Sequence, residues 1–278
     1  MTCLLSAADR IELAEAAAQV AKCASDVISD IYYSSESLVV EKKADNSPVT
    51  IADIQAHQII HDGLMALTPQ WPILSEEEQF PDYAERMQWP CYWLVDPVDG
   101  TKEFIERTGE FTVNIALIEH GLPTIGVIYV PLEQSAYVGV VGQGGWLDSK
   151  GGRQPISVSQ LKEGDSIRVI SSRRHTGPIL HECLVKLKQT FKDVKRIQMG
   201  SALKFCRLAQ GSADIYPRFS PCCEWDTAAG QALLEACGGQ LVNMQFGPLI
   251  YNQSESLINP HFYALGAQNL DWPSILAS

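Results

Sequence analysis

Apolar residues recur at helical spacing between residues 6 and 31, at Ile11, Leu13, Ala14, Ala17, Ala18, Val20, Ala21, Val27, Ile28 and Ile31. With no proline to interrupt it, this pattern predicts one amphipathic helix packed on a core. The loop Asp45-Asn46-Ser47-Pro48-Val49 then leads to Thr50, a natural N-cap for a second helix from about Ile51 to Leu67. Trp71-Pro72-Ile73-Leu74 reads as a short strand that releases Ser75-Glu76-Glu77-Glu78, and Tyr92 to Val95 reads as another strand. Beyond it the period falls to two, and Phe111–Ile118, Thr124–Val130 and Ser135–Val141, separated by turn residues, predict three antiparallel strands of one sheet. Past Gly151-Gly152 the chain alternates: strand 167–170, helix 178–190, strand 194–197, helix 201–210, strand 214–216, helix 226–237 and strand 240–242. An α+β half followed by an α/β half places a boundary near residue 155, giving an N-terminal subdomain 1–155 and a C-terminal subdomain 156–278.

A hydrophobic fraction of 46% in 278 residues is ample for a buried core, so disorder is not the default. The net charge of −12 excludes a broad basic surface of the kind that binds a nucleic-acid polymer, but not a small anionic ligand held by a few local cations or bridging metals. The first residues lack a basic segment followed by a long apolar run, and no stretch approaches the roughly 20 apolar residues that span a bilayer. The chain therefore reads as soluble and cytoplasmic, with peripheral contact on the cytoplasmic face of the inner membrane left open. Its eight cysteines form no CxxC pair and sit largely in apolar runs, as reduced thiols do.

The chemistry concentrates where strands or loops meet helices. Trp93-Leu94-Val95-Asp96-Pro97-Val98-Asp99-Gly100-Thr101-Lys102-Glu103 runs an apolar strand into two aspartates, a glycine and a helix start. Asp-Pro and Asp-Gly also make ordinary turns. Glu76, beside the end of another strand, and Asp226, in Trp225-Asp226-Thr227-Ala228-Ala229-Gly230, occupy similar junctions. For Glu76 the competing reading is a solvated charge run, and for Asp226 a helix N-cap. Carboxylates brought to ~4 Å repel by about 4 kcal/mol per pair at an effective dielectric near 20, so convergence of four acids implies bound cations. Oxygen-only ligation favours Mg²⁺ or Mn²⁺ over Zn²⁺.

The strand-end segment from Trp93 to Thr101, followed by Glu224-Trp225-Asp226-Thr227-Ala228-Ala229-Gly230, resembles the two signatures of the inositol-monophosphatase superfamily of Mg²⁺-dependent, lithium-sensitive phosphatases. Asp45 to Asp53 and Leu74-Ser75-Glu76-Glu77 resemble its remaining segments, so the likeness covers nearly the whole chain. It implies a layered αβαβα sandwich. Thr101-Lys102-Glu103-Phe104-Ile105, Gly109 to Leu117, Gly200 to Cys206 and Tyr216-Pro217-Arg218-Phe219 are similar to the CysQ group of 3′(2′),5′-bisphosphate nucleotidases, where inositol monophosphatases have Thr-Asn in place of Lys102-Glu103. This branch implies hydrolysis of adenosine 3′,5′-bisphosphate to AMP and phosphate, the by-product disposal step of sulfate assimilation. Pro221-Cys222-Cys223-Glu224 departs from the pattern at the rim of the nucleotide pocket.

The resemblance further implies that Glu76, Asp96 and the Val98 carbonyl hold one Mg²⁺ and that Asp96, Asp99 and Asp226 hold a second, with a third, looser ion near Glu76. Mn²⁺ is a substitute. Asp53 and Thr101 become a proton-accepting pair for the attacking water, Gly100 and Thr101 N–H groups the cradle of the scissile phosphate, and Ser172, His175, Gly200, Ser201, Lys204 and Arg218 the contacts to the rest of the nucleotide. Two readings compete: an inositol or sugar monophosphatase of the same fold, and a non-catalytic nucleotide or metal sensor. The oligomeric state is open between monomer and homodimer.

Overall fold

The computed structural model describes residues 5–34, 40–42, 48–173, 177–267 and 269–277. Helix α1 (Ala7–Tyr33) begins at a capping box in which the Ser6 hydroxyl accepts the Asp9 N–H and Asp9 returns the bond to Ser6 N–H. Two of the donors that a helix start leaves unpaired are satisfied this way. A short pair, β1 (Val40–Lys42) and β2 (Pro48–Thr50), precedes α2 (Ile51–Leu67), whose own capping box joins Thr50 to Asp53. Then come β3 (Ile73–Ser75), the single turn α3 (Tyr83–Arg86), β4 (Cys91–Asp99), α4 (Thr101–Ile105), β5 (Thr112–Glu119), β6 (Leu122–Val130), β7 (Ser135–Val140), β8 (Gly144–Ser149) and β9 (Gly152–Ile156). Strands β3 to β9 form one seven-stranded sheet in chain order, antiparallel except for the β3–β4 pair.

The sheet is larger than the three strands expected. Strands β8 and β9 lie where the glycines at 142–145 and 151–152 read as turns alone. Gly144 and Gly145 instead pair with Val140 and Gly139 of β7, so the backbone ladder continues through residues with no apolar signature.

The second half supplies β10 (Ser166–Ser171), α5 (Pro178–Thr190), β11 (Asp193–Gln198), α6 (Leu203–Ala209), β12 (Ile215–Arg218), α7 (Ala228–Ala236), β13 (Gln240–Asn243), β14 (Phe262–Leu265) and α8 (Trp272–Ala277). Its five strands run β11-β10-β12-β14-β13, parallel among the first three and antiparallel where β14 inserts. The periodicity did not reveal β14 or α8.

Three apolar clusters mark the layering. Helices α1 and α2 cover one face of the large sheet through Ala17, Ala21, Ile60, Trp93 and Ile115. Helices α6 and α7 fill the space between the two sheets with Phe205, Leu208 and Leu233, packed in one cluster with Tyr137 of β7, and α5 and α8 cover the outer face of the small sheet with Leu187 and Trp272. This is the αβαβα order. Gly126 permits the close approach of α7, because a Cβ there would stand 2.2 Å from the Ala229 carbonyl oxygen. No helix among the described residues is long and apolar enough to cross a membrane. The seven cysteines described are all free.

Candidate metal and phosphate site

Asp96 and Asp99 are three residues apart, and strict alternation along a strand would send them to opposite faces. The strand carries one extra residue between them. Asp96 pairs with Asn114 and Asp99 with Thr112, three residues on β4 against two on β5, which is a bulge. Pro97 fits there because it has no N–H for the ladder, and the Asp96 carboxylate accepts the Val98 N–H at 3.1 Å. The bulge turns both aspartates to one side.

Asp226 meets them from the other half of the chain. It lies in a 3₁₀ turn, Glu224–Asp226, ahead of α7 rather than inside the expected helix 226–237, and its carboxylate accepts the Cys223 N–H at 3.0 Å. Asp226 is therefore not the N-cap of α7, a place held by Thr227; its carboxylate caps the 3₁₀ turn from the third position and converges on the strand-end acids as well. One carboxylate oxygen from each of Asp96, Asp99 and Asp226 can be chosen so that all lie within 4.8 Å of one another. Glu76 stands beside this triad, outside that set, with its N–H bonded to the Val95 carbonyl across from β4. Among charged neighbours, it acts most strongly on Asp96.

Burial, and then mutual repulsion, holds the Asp96 carboxyl well above the usual carboxylate range. Burial also raises Asp99, against the opposing pull of Lys204, and pushes Asp226 up to about 8, with Asp99 and Glu76 adding to the rise. Three hard oxygen donors that cannot share a site as anions without compensation are a fit for divalent cations such as Mg²⁺. Without metal, each such carboxyl binds its proton more tightly folded than unfolded, so stability falls as pH rises from about 4 towards the raised values. The metal-free protein should therefore melt roughly 5–10 °C lower at pH 8 than at pH 5.5, a few kcal/mol in a chain of this size, with saturating Mg²⁺ removing most of the difference. Thermal melts in chelator that coincide at the two pH values would contradict this.

Gly100 follows Asp99 in the left-handed region, at φ 98°, where a Cβ would stand 2.9 Å from the Glu110 carbonyl oxygen. Glycine is required there by both conformation and space. Thr101 opens α4, and its hydroxyl lies 3.1 Å from an Asp53 carboxylate oxygen and 3.2 Å from the Val98 carbonyl. The other Asp53 oxygen accepts both the N–H and the hydroxyl of Thr50, at 2.8 and 2.6 Å. Burial nevertheless raises the Asp53 carboxyl above its ordinary value, against these three hydrogen bonds from Thr50 and Thr101. Asp53 is thus a helix cap and a neighbour of Thr101 at once.

The remaining nucleotide candidates divide. Ser172, Gly200, Ser201, Lys204 and Arg218 line one cavity of about 140 Å³ together with Asp99, Gly100 and Asp226. Lys204 is buried, lies 5.2 Å from the Tyr216 ring centroid, and is pulled down to about 8 by desolvation while Asp99 opposes the fall. Its ammonium group donates to the Ser201 carbonyl. The Gly200 N–H is committed to the Glu110 carboxylate at 2.7 Å, and the same carboxylate holds Arg173 through two bonds of 2.5 Å. Arg218 donates to Tyr216, Ser220 and Pro221. His175 and the segment Asp45-Asn46-Ser47 lie outside the described residues.

Sequence reasoning missed Asn114, Glu110, Thr50 as a partner of Asp53, and Tyr216. A polar residue inside Val113-Asn114-Ile115 was a visible signal, since a fully buried strand tolerates an amide only with a partner, and Asn114 donates to Asp99 at 3.3 Å. A second cavity, about 330 Å³, adjoins the first through Ser172, Tyr216 and Arg218, with Ile179, Leu180 and Phe219 on its apolar walls.

The profile described as the inositol monophosphatase family matches residues 9–271. The chain is 46% identical over 244 residues to the 3′(2′),5′-bisphosphate nucleotidase CysQ of Escherichia coli (strain K12), covering 88% of this chain and 96% of that one. To the protein of the same description from Salmonella typhimurium (strain LT2) it is 44% identical over 248 residues, covering 89% and 97%. The crystal structure of CysQ from Bacteroides thetaiotaomicron, a bacterial member of the inositol monophosphatase family, superposes with a TM-score of 0.79 at 38% identity, covering 91% of this chain and 97% of that chain.

Proposed function

The chain belongs to the inositol monophosphatase family, and from that premise we propose that it is a 3′(2′),5′-bisphosphate nucleotidase, hydrolysing adenosine 3′,5′-bisphosphate to AMP and phosphate in sulfate assimilation. It is a phosphatase by relationship to the nucleotidases it resembles over most of its length. The observation that carries the choice of a nucleotide is the pair of adjoining cavities that share Ser172, Tyr216 and Arg218: an acidic end at Asp99 and Asp226, a buried cation at Lys204, and a largely apolar pocket beyond. A cyclitol phosphate needs only the first. A nucleoside bisphosphate uses all three, its scissile phosphate at the acids, its second phosphate near Lys204, and its base against Tyr216 and Phe219.

Asp96, Asp99 and Asp226, with Glu76 and the Val98 carbonyl, would hold two Mg²⁺ or Mn²⁺ ions and a third, looser one near Glu76. Bound there, divalent cations lower the pKa of an attacking water and neutralise the leaving oxygen. The chain's own residues do the rest. Gly100 and the first turn of α4 leave N–H groups open to a phosphate oxygen. The Thr101 hydroxyl accepts a water proton while passing its own to Asp53, whose carboxyl, raised by burial, is a stronger proton acceptor than an exposed aspartate. The working location we infer is the cytoplasm.

Phosphate release from adenosine 3′,5′-bisphosphate and from inositol 1-phosphate, measured side by side, tests the assignment; a larger kcat/KM for the inositol phosphate would overturn it. Lys204→Ala should raise KM for the bisphosphate about 10- to 100-fold, the worth of one charge-assisted hydrogen bond. It should leave KM for a simple monophosphate nearly unchanged, and equal effects on both substrates would refute the second-phosphate role.

A further inference from the structure

Glu110, in the loop between α4 and β5, lines neither of the two adjoining cavities, yet it meets the segments that do. Its carbonyl oxygen lies between two glycines. A Cβ added at Gly100 would stand 2.9 Å from that oxygen, and one added at Gly200 would stand 3.1 Å from it. Gly100 belongs to the phosphate loop of the first half, and Gly200 to the turn between β11 and α6 in the second. The two turns therefore ride on opposite sides of one oxygen, and a Cβ on either would crowd it.

That contact sets how near the two turns can come, and the Glu110 side chain sets how far apart they can move. Its carboxylate accepts the Gly200 N–H at 2.7 Å and two Arg173 bonds at 2.5 Å. Bonds to an ionised acceptor are about twice as strong as neutral ones. Arg173 and Gly200 follow β10 and β11, neighbouring parallel strands, so one carboxylate gathers two strand ends of the far half. The Gly200 turn is also braced from its own side. Met199 N–H donates to the Ser171 carbonyl at 3.1 Å, and the Lys204 ammonium donates to the Ser201 carbonyl. Ser201 itself sits at φ 44°, a left-handed conformation that a serine keeps only where its surroundings impose it. A displacement of Gly200 is thereby passed on to Lys204.

We propose that Glu110 is a positioning residue that sets the distance between the phosphate cradle at Gly100 and the cation at Lys204, and so favours substrates carrying two phosphates over those carrying one. This rests on the nucleotidase reading and adds to it a residue that acts through its neighbours. A single phosphate spans no gap and is indifferent to its width.

Glu110→Met keeps the backbone carbonyl and the side-chain volume and deletes the clamp. It should raise KM for adenosine 3′,5′-bisphosphate about tenfold, the worth of one charge-assisted hydrogen bond. The kcat should stay within about twofold, and both constants for inositol 1-phosphate, as well as the affinity for AMP measured by calorimetry, should hardly move. Glu110→Gln, whose amide oxygen can still accept the Gly200 N–H, should recover most of the loss. Gly200→Ala crowds the same carbonyl, and the Glu103 Cγ at 2.9 Å, with the clamp intact. It should lower the preference for the bisphosphate too, which keeps the test open if Glu110→Met does not fold. The ratio of kcat/KM for the bisphosphate to that for inositol 1-phosphate separates the two claims. A wild-type ratio below one defeats the nucleotidase reading, whereas a ratio unchanged by Glu110→Met overturns the role of Glu110. Equal weakening of AMP would also overturn it, as a general loosening of the pocket, and so would a Glu110→Gln variant no better than Glu110→Met, which would make charge rather than position the cause.

Discussion

Asp99→Asn should lower kcat by about 10³-fold or more, because removing one ligand from the triad forfeits at least ~4 kcal/mol of charge stabilisation at the reacting phosphate. The fold should survive it. Asp99 is buried and its carboxyl is pushed up by desolvation, so a neutral amide of the same shape removes an unfavourable charge from the metal-free protein. The local hydrogen bonding also accommodates the change. Asn114 donates its amide to Asp99, and its own Oδ1 has no partner among the described residues. An asparagine at position 99 brings both a donor and an acceptor, so the two amides can pair head to tail. The expected signature is a metal-free melting temperature equal to or above wild type, a smaller Mg²⁺-induced rise, and almost no phosphate release. A variant that keeps more than a tenth of wild-type kcat at saturating Mg²⁺ would remove Asp99 from the ligand set.

What the chain declares about itself depends on whether a feature is local. Thr50 caps α2 from the residue directly before it, and the start of the helix was legible for that reason, while the return bond from Asp53 was not read. The alternating apolar runs at β5, β6 and β7 were equally plain, whereas β8 and β9 were hidden because strands 144–149 and 152–156 are rich in glycine and polar residues, and their pairing is dictated by neighbours. Strand β14 follows a long irregular connection and inserts between β12 and β13, a position that depends on contacts remote in sequence. In the site, the acids were visible as residue types at junctions. Their convergence was not, since it depends on a bulge between Asp96 and Asp99 that periodicity cannot count. Glu110 illustrates the other limit: it lies outside the strand-end motif, yet its carbonyl shapes the place of Gly100 and its carboxylate binds Gly200 and Arg173 from the far half of the chain.

Thr101→Val and Asp53→Asn should each lower kcat by about 10²- to 10⁴-fold, the range of a positioned general base. The two side chains are placed to act in series: the Thr101 hydroxyl has one proton, its two acceptors within reach are the Asp53 oxygen at 3.1 Å and the Val98 carbonyl at 3.2 Å, and of these only the carboxylate can take the proton up. Valine keeps the volume and deletes the relay atom, while asparagine leaves the relay without a proton sink. The double variant should then be little worse than either single one, because groups that work as a unit give non-additive losses. Asp53→Asn carries a structural cost that Thr101→Val does not. Its carboxylate accepts both the Thr50 N–H and the Thr50 hydroxyl, and replacing it weakens the α2 cap by about 1 kcal/mol. Comparing melting temperatures separates that loss from catalysis, since Thr101→Val should melt close to wild type while losing turnover. Additive losses in the double variant would mean that the two residues serve different steps, whereas an Asp53→Asn variant that melts lower but keeps wild-type kcat would leave Asp53 a helix cap alone.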